Sequence, residues 1–212
     1  MNIRGTNGVL ILSGANTYSG SIELLEPVVL QVAASANLGP AAVAIKAGTF
    51  RYTGTGSETM TRSLWNDNAA LAGATIDVTS PTASLTWNPG GGTCNQILTK
   101  TGSGALTSGT LGMSGGINAN GGTWTVNSVL SGTVPVTVNN GATLVLNGAN
   151  TYISPTVVNQ GALYVNGSTA AGSAVSVSGL GSSVLGGVGV INGPVTVNAG
   201  ATLAPGTNSI GK

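Results

Sequence analysis

A glycine-marked unit that returns about every twenty residues constrains this chain more than any other feature. In the second half the marker glycines fall at positions 104, 122, 141, 161, 181 and 200, in steps of 18, 19, 20, 20 and 19. A fixed period in this range means that each unit is too small to bury a core alone and must stack on a copy of itself, which defines a solenoid. The segment after each glycine alternates apolar and polar residues with period two. Phe50 and Tyr52, Ile76 and Val78, Trp124 and Val126, Val136 and Val138, Val175 and Val177, and Val195 and Val197 are expected to face a core. Arg51, Asp77, Thr125, Thr137, Ser176 and Thr196 are expected to face water.

Turns are marked by Asn-Gly at 7, 120, 140, 147, 166 and 192, where glycine, and more weakly asparagine, tolerates the left-handed backbone of a tight corner. Corners this short leave no room for a crossover helix. The fold class expected is all-β, a right-handed parallel β-helix of about ten coils of roughly 20 residues. At a strand spacing of about 4.8 Å such a stack is on the order of 50 Å long. A β-sandwich is the competing fold, because its strand spacing can look similar, but a sandwich need not repeat its sequence. The expectation is one β-helical segment over residues 1–212, with regular coils at 1–54 and 101–212. Residues 55–100, with Trp65, Trp87, Pro81, Pro89 and Gly90 to Gly92, are expected to form irregular coils or a protruding loop.

Composition then narrows function. There is no His, which removes Ser-His-Asp and Cys-His sites, His-ligated metals and imidazole pH switches, and the single Cys removes internal disulfides and thiolate zinc cages. Only 5% of residues are charged while 41% are apolar, unlike a disordered chain, which combines low hydrophobicity with high net charge. Six basic residues and a net charge of +1 supply no phosphate-binding patch, so no nucleic-acid partner is expected. All five acids precede residue 78, and residues 101–211 carry no charged side chain.

Two stretches carry a family resemblance. Asn7 to Gly20 contains Gly14-Ala15-Asn16-Thr17-Tyr18, and Leu144 to Tyr152 contains Gly148-Ala149-Asn150-Thr151-Tyr152. Both resemble the "LxLxGANTYxG" core of the autotransporter-associated β-strand repeat, also called the passenger-associated transport repeat. Leu98 to Thr107 is similar to the lead-in to that core, and Gly187 to Pro205 to the family's recurrent "GxGxVxGxVTVxxGGTLAPG" stretch. The resemblance implies a fragment of a larger type V autotransporter passenger, secreted or displayed on a Gram-negative cell surface. It also implies an outer-membrane barrel as partner in the full-length protein.

Other motifs are weighed against plainer explanations. Gly112-Met113-Ser114-Gly115-Gly116 matches a nucleophile elbow but has no histidine to act as base. Gly206 to Lys212 begins like a phosphate loop and then lacks the Ser/Thr and the helix. Gly186 to Val190 echoes a calcium-binding nonapeptide, yet Ile191 stands where the carboxylate belongs. Glu23 and Glu26 are the one close acid pair, and their odd spacing puts them on opposite sides of a strand. Cys94 has no adjacent base, and Asn166-Gly167-Ser168 matches a glycosylation sequon by chance. No catalytic residue, metal ligand or cofactor is therefore expected.

The reading that results is a non-enzymatic stalk or scaffold for display, adhesion and secretion. With no capping segment visible, end-to-end self-association into fibres is a variant of it. The alternative is an adhesin-type module contacting a host receptor or glycan through residues 55–100, with Trp65 and Trp87 as surface contacts. An ice-binding solenoid needs a Thr-x-Thr ladder on one face. Thr53-Gly54-Thr55, Thr59-Met60-Thr61 and Thr123-Trp124-Thr125 are not spaced at the repeat period, which argues against a ladder.

Overall fold

A computed structural model describes residues 1–66, 73–88, 92–133 and 135–206. Their strands form a parallel β-solenoid of three faces. A ten-stranded sheet runs from Val9–Ile11 to Val195–Val197, and an eight-stranded sheet runs from Ser57–Met60 to Thr202–Pro205. The third face is assembled from shorter pieces. These are a four-stranded sheet ending at Leu64–Trp65 and the pairs Thr93–Cys94 with Gly112–Met113 and Ser168–Thr169 with Val190–Ile191.

One inward column of the ten-stranded sheet gives the architecture its scale. Leu10, Leu30, Phe50, Ile76, Lys100, Ala119, Val138, Val158, Val177 and Val197 stand in register, one per coil. Successive members are 19 or 20 residues apart except between Phe50 and Ile76, 26 apart, and between Ile76 and Lys100, 24 apart. Both long coils include residues outside the described set, 67–72 and 89–91. The ladder continues through them without a break, since parallel pairing fixes which strand residues meet and leaves corner length free.

The core lies where the period-two alternation puts it. Phe50, Ile76, Val78, Trp124, Val126, Val136, Val138, Val175 and Val177 are buried, and the Phe50 ring meets Trp87 edge-on at 4.8 Å between centroids. Two members of the expected set depart from it. Val195 and Val197 are 43% and 37% exposed, because their coil has a stacked neighbour on one side only.

The corners also divide into two kinds. Asn7, Asn140 and Gly141 do adopt positive φ, at 60°, 51° and 71°. At Gly167 the expected left-handed backbone is absent. Glycine is required there because a Cβ would come within 2.1 Å of the Gly148 carbonyl in the next coil.

Candidate functional site

The two signature segments occupy different corners, the first between the ten-stranded sheet and the four-stranded sheet and the second between the eight-stranded sheet and the ten-stranded sheet, yet the asparagine of each fastens neighbouring coils. Asn150 is buried; its Oδ1 accepts from the Leu130 amide at 2.9 Å, and its Nδ2 donates to the carbonyls of Gly148 at 2.9 Å and Ser168 at 3.1 Å. One carboxamide thereby satisfies backbone groups of three successive coils, groups that would be costly to bury unpaired. Tyr152 is fully buried and shares a 2.6 Å hydrogen bond with Thr156, while Ala149 and Thr151 face outward.

In the first copy Asn16 donates to the Asn37 carbonyl at 2.7 Å and to Ser13 at 3.3 Å. Asn37 returns the link by donating to the Gly14 carbonyl at 2.8 Å, and it accepts from the amides of Ala33 and Ala34. Ala15, Thr17 and Tyr18 are exposed here, since this copy lies in the outermost coil.

Farther along, the corners are tied by asparagine ladders. Asn159 donates to Asn139 and Asn139 to Asn118, each at 2.8 Å. Asn166 donates to Asn147 at 3.0 Å and Asn147 to Asn127 at 2.7 Å. Asn166 of the sequon is thus engaged in a structural ladder.

The tryptophans separate. Trp65 is 38% exposed on the short third face. Trp87, expected at the surface, is instead fully buried. It follows Leu85 by two residues on one strand, so both point inward, and its Nε1 donates to the Arg62 carbonyl at 2.9 Å. Trp124 is buried as expected, its Nε1 donating to Ser108 at 3.0 Å.

The remaining candidates are not brought together. Glu26 lies 3.7 Å from Arg4, whereas Glu23 is on the outer side of the Ile22–Leu24 strand. Ser114 donates to the Asn95 side chain at 2.9 Å beside a two-residue strand, not at a strand-to-helix turn. Cys94 is buried. Residues 207–212 of the phosphate-loop-like motif, and Gly90 and Gly91, lie outside the described residues. Among the described residues no three Cys, Asp or Glu side chains gather to hold an ion.

The most unusual polar group went unnoticed in the sequence. Lys100 is fully buried in the core column, and its Nζ donates to the carbonyls of Gly102 at 2.7 Å, Gly104 at 2.5 Å and Gly121 at 2.8 Å. Burial pushes its ammonium down to about 8, an effect the Asp77 carboxylate opposes. Room for the ammonium depends on Gly122, whose Cβ would stand 2.5 Å from Nζ and 2.4 Å from the Gly104 carbonyl. The clue was parity: Lys100 is two residues from Leu98 on the same strand, so it had to face inward.

No two neighbouring strands of the eight-stranded sheet carry Thr-x-Thr, but a single threonine column is present. On the outer face of the eight-stranded sheet Thr59 pairs with Thr86, Thr86 with Thr107 and Thr107 with Thr125. Irregular coil lengths hide the alignment from the sequence, and strand register restores it.

These features define a class: a parallel β-solenoid repeat protein whose signature polar residues act as fasteners between coils. The passenger-associated-transport-repeat family matches residues 7–26 and 136–165, the two segments that hold Gly14–Tyr18 and Gly148–Tyr152. The chain thus carries the repeat that its sequence resembled. No curated protein and no solved structure matches it.

Proposed function

We propose that this chain is a non-catalytic scaffold segment of a secreted or surface-displayed passenger from a Gram-negative bacterium, exported together with an outer-membrane barrel. The observation that carries the reading is the match of both signature copies to a passenger transport repeat, together with what Asn150 does in one of them. An emerging chain can add each coil to the edge of the one before, because the stabilising contacts join nearest neighbours. A buried asparagine that satisfies the coils on either side makes each addition depend on correct stacking.

The test is display of the chain fused to a type V outer-membrane barrel, scored by protease shaving and surface antibody binding. The intact chain is expected to reach the surface. A version lacking residues 136–165, with equal barrel in the membrane, is expected to stall. Equal display of the two would overturn the reading.

End-to-end association is a finer part of the same proposal. Val9 and Ile11 at one end, and Val195, Val197 and Leu203 at the other, are exposed apolar residues on or beside unpaired strand edges. Electron microscopy across a concentration series from low micromolar upward should show filaments with an axial repeat of one rod length. Isolated rods throughout would refute it. Of the two tryptophans offered for an adhesive role toward a receptor or glycan through residues 55–100, Trp65 is exposed and Trp87 is not accessible.

A further inference from the structure

The outer face of the eight-stranded sheet presents a two-dimensional net of hydroxyl groups. Thr59, Thr86, Thr107 and Thr125 form one column. Two residues back along the strands runs a second column, Ser57, Ser84, Ala105, Thr123 and Thr143, whose hydroxyls are interrupted at Ala105. Neighbouring strands are about 4.8 Å apart and alternate residues about 7 Å apart, so the hydroxyls repeat at short intervals across the strands and, except where Ala105 and Val145 stand, along them. The β-branch restricts χ1 at each threonine, so hydroxyl and methyl are held in a limited set of poses by a backbone already ordered in the ladder.

Three properties narrow the ligand. The face is neutral: outward positions from the Ser84–Trp87 strand to the Ala142–Leu146 strand are Ser, Thr, Ala and Val, which offers nothing to an ionic partner. It has no aromatic platform for stacking a sugar ring until Tyr164, beyond the threonine column. Its hydroxyls are also uncommitted. Among the described residues these six threonine hydroxyls have no protein partner, unlike Thr137, whose Oγ1 bonds Asn118 at 3.0 Å, and Thr53 and Thr79, which bond the carbonyls of neighbouring coils. A rigid, neutral net of free donors and acceptors interleaved with methyl groups suits a ligand that is itself a hydrogen-bonded lattice.

We propose that this face binds ice, with the threonine hydroxyls joining the water lattice and the methyl groups seated between its waters. The inference stands apart from the export reading, and either can fail without the other.

The test uses the whole chain. Incorporation of fluorescently labelled protein into slowly grown ice and thermal hysteresis are measured for wild type, Thr107→Val, Thr107→Lys and Thr99→Lys. Thr99 is an outward residue of the ten-stranded sheet, so its substitution is the control, and circular dichroism confirms the fold of each variant. Wild type and Thr99→Lys are expected to enter ice and produce hysteresis. Thr107→Lys should lose both, and Thr107→Val, which removes only the hydroxyl, should lose part. Exclusion of the wild type from ice would overturn the proposal, as would equal loss in Thr107→Lys and Thr99→Lys. Retention on microcrystalline cellulose or chitin without ice incorporation would reassign the face to a polysaccharide and also overturn it.

Discussion

Replacing Lys100 by Met should flatten a pH dependence that the wild type carries. The folded-state value is about 8 and the ordinary value 10.5. Between the two, the unfolded chain binds more protons than the folded one, so stability rises with pH across that window. Below pH 8 the full penalty of the buried ammonium applies, about 3 kcal/mol from the difference between the two values. Only part is relieved by pH 9.5: linkage gives a rise of about 2 kcal/mol between about pH 7 and pH 9.5. Tyrosine ionisation changes the curve near pH 10, and Tyr52, raised by burial and by Glu58, favours its neutral form in the fold and so loses stability above that point. These contributions are common to both proteins and cancel in the difference. The assay is guanidinium unfolding followed by far-ultraviolet circular dichroism from about pH 7 to pH 9.5, with Lys100→Met subtracted from wild type. A difference that stays flat or falls with pH would refute the reasoning, because it would mean that the three carbonyls of Gly102, Gly104 and Gly121 hold the ammonium more strongly than burial opposes it.

Further outcomes are expected from unfolding of purified variants. Asn150→Ala strands the Leu130 amide and two carbonyl contacts and should cost about 2–3 kcal/mol, whereas Asn16→Ala, half-exposed in the outermost coil, should cost less. Trp87→Ala should cost about 3–5 kcal/mol by opening a core cavity beside Phe50. The exposed Trp65→Ala should stay under about 1 kcal/mol. Gly122→Ala meets the Gly104 carbonyl at 2.4 Å from a backbone at φ +58° and should cost about 1–3 kcal/mol; equality with wild type in the Asn150, Trp87 or Gly122 unfolding curve would contradict the corresponding contact.

What was legible in the sequence was whatever depends on neighbours along the chain. Period two placed Trp124 and Val126 inward and Thr125 outward, and the twenty-residue step gave the solenoid. The GANTY copies were found as strings, but their task was invisible, because the partners of Asn150 at Leu130 and Ser168 are set by stacking. The glycines and prolines around Trp87 mask the Ser84-Leu85-Thr86-Trp87 alternation that turns it inward. The threonine column was missed for a related reason. Its members are 27, 21 and 18 residues apart, so a search at constant period rejects them, although pairing between strands does not count corner residues.

That indifference to corner length has an evolutionary consequence. Lengthening the Phe50-to-Ile76 coil to 26 residues displaces no strand above or below it, and doubling a flexible connection costs only about 0.6 kcal/mol of closure entropy. A sequence can therefore hang new loops on one edge of the rod, like pegs on a board, while the opposite wall keeps its spacing. Change in the corners is thereby uncoupled from the geometry that holds the rod up.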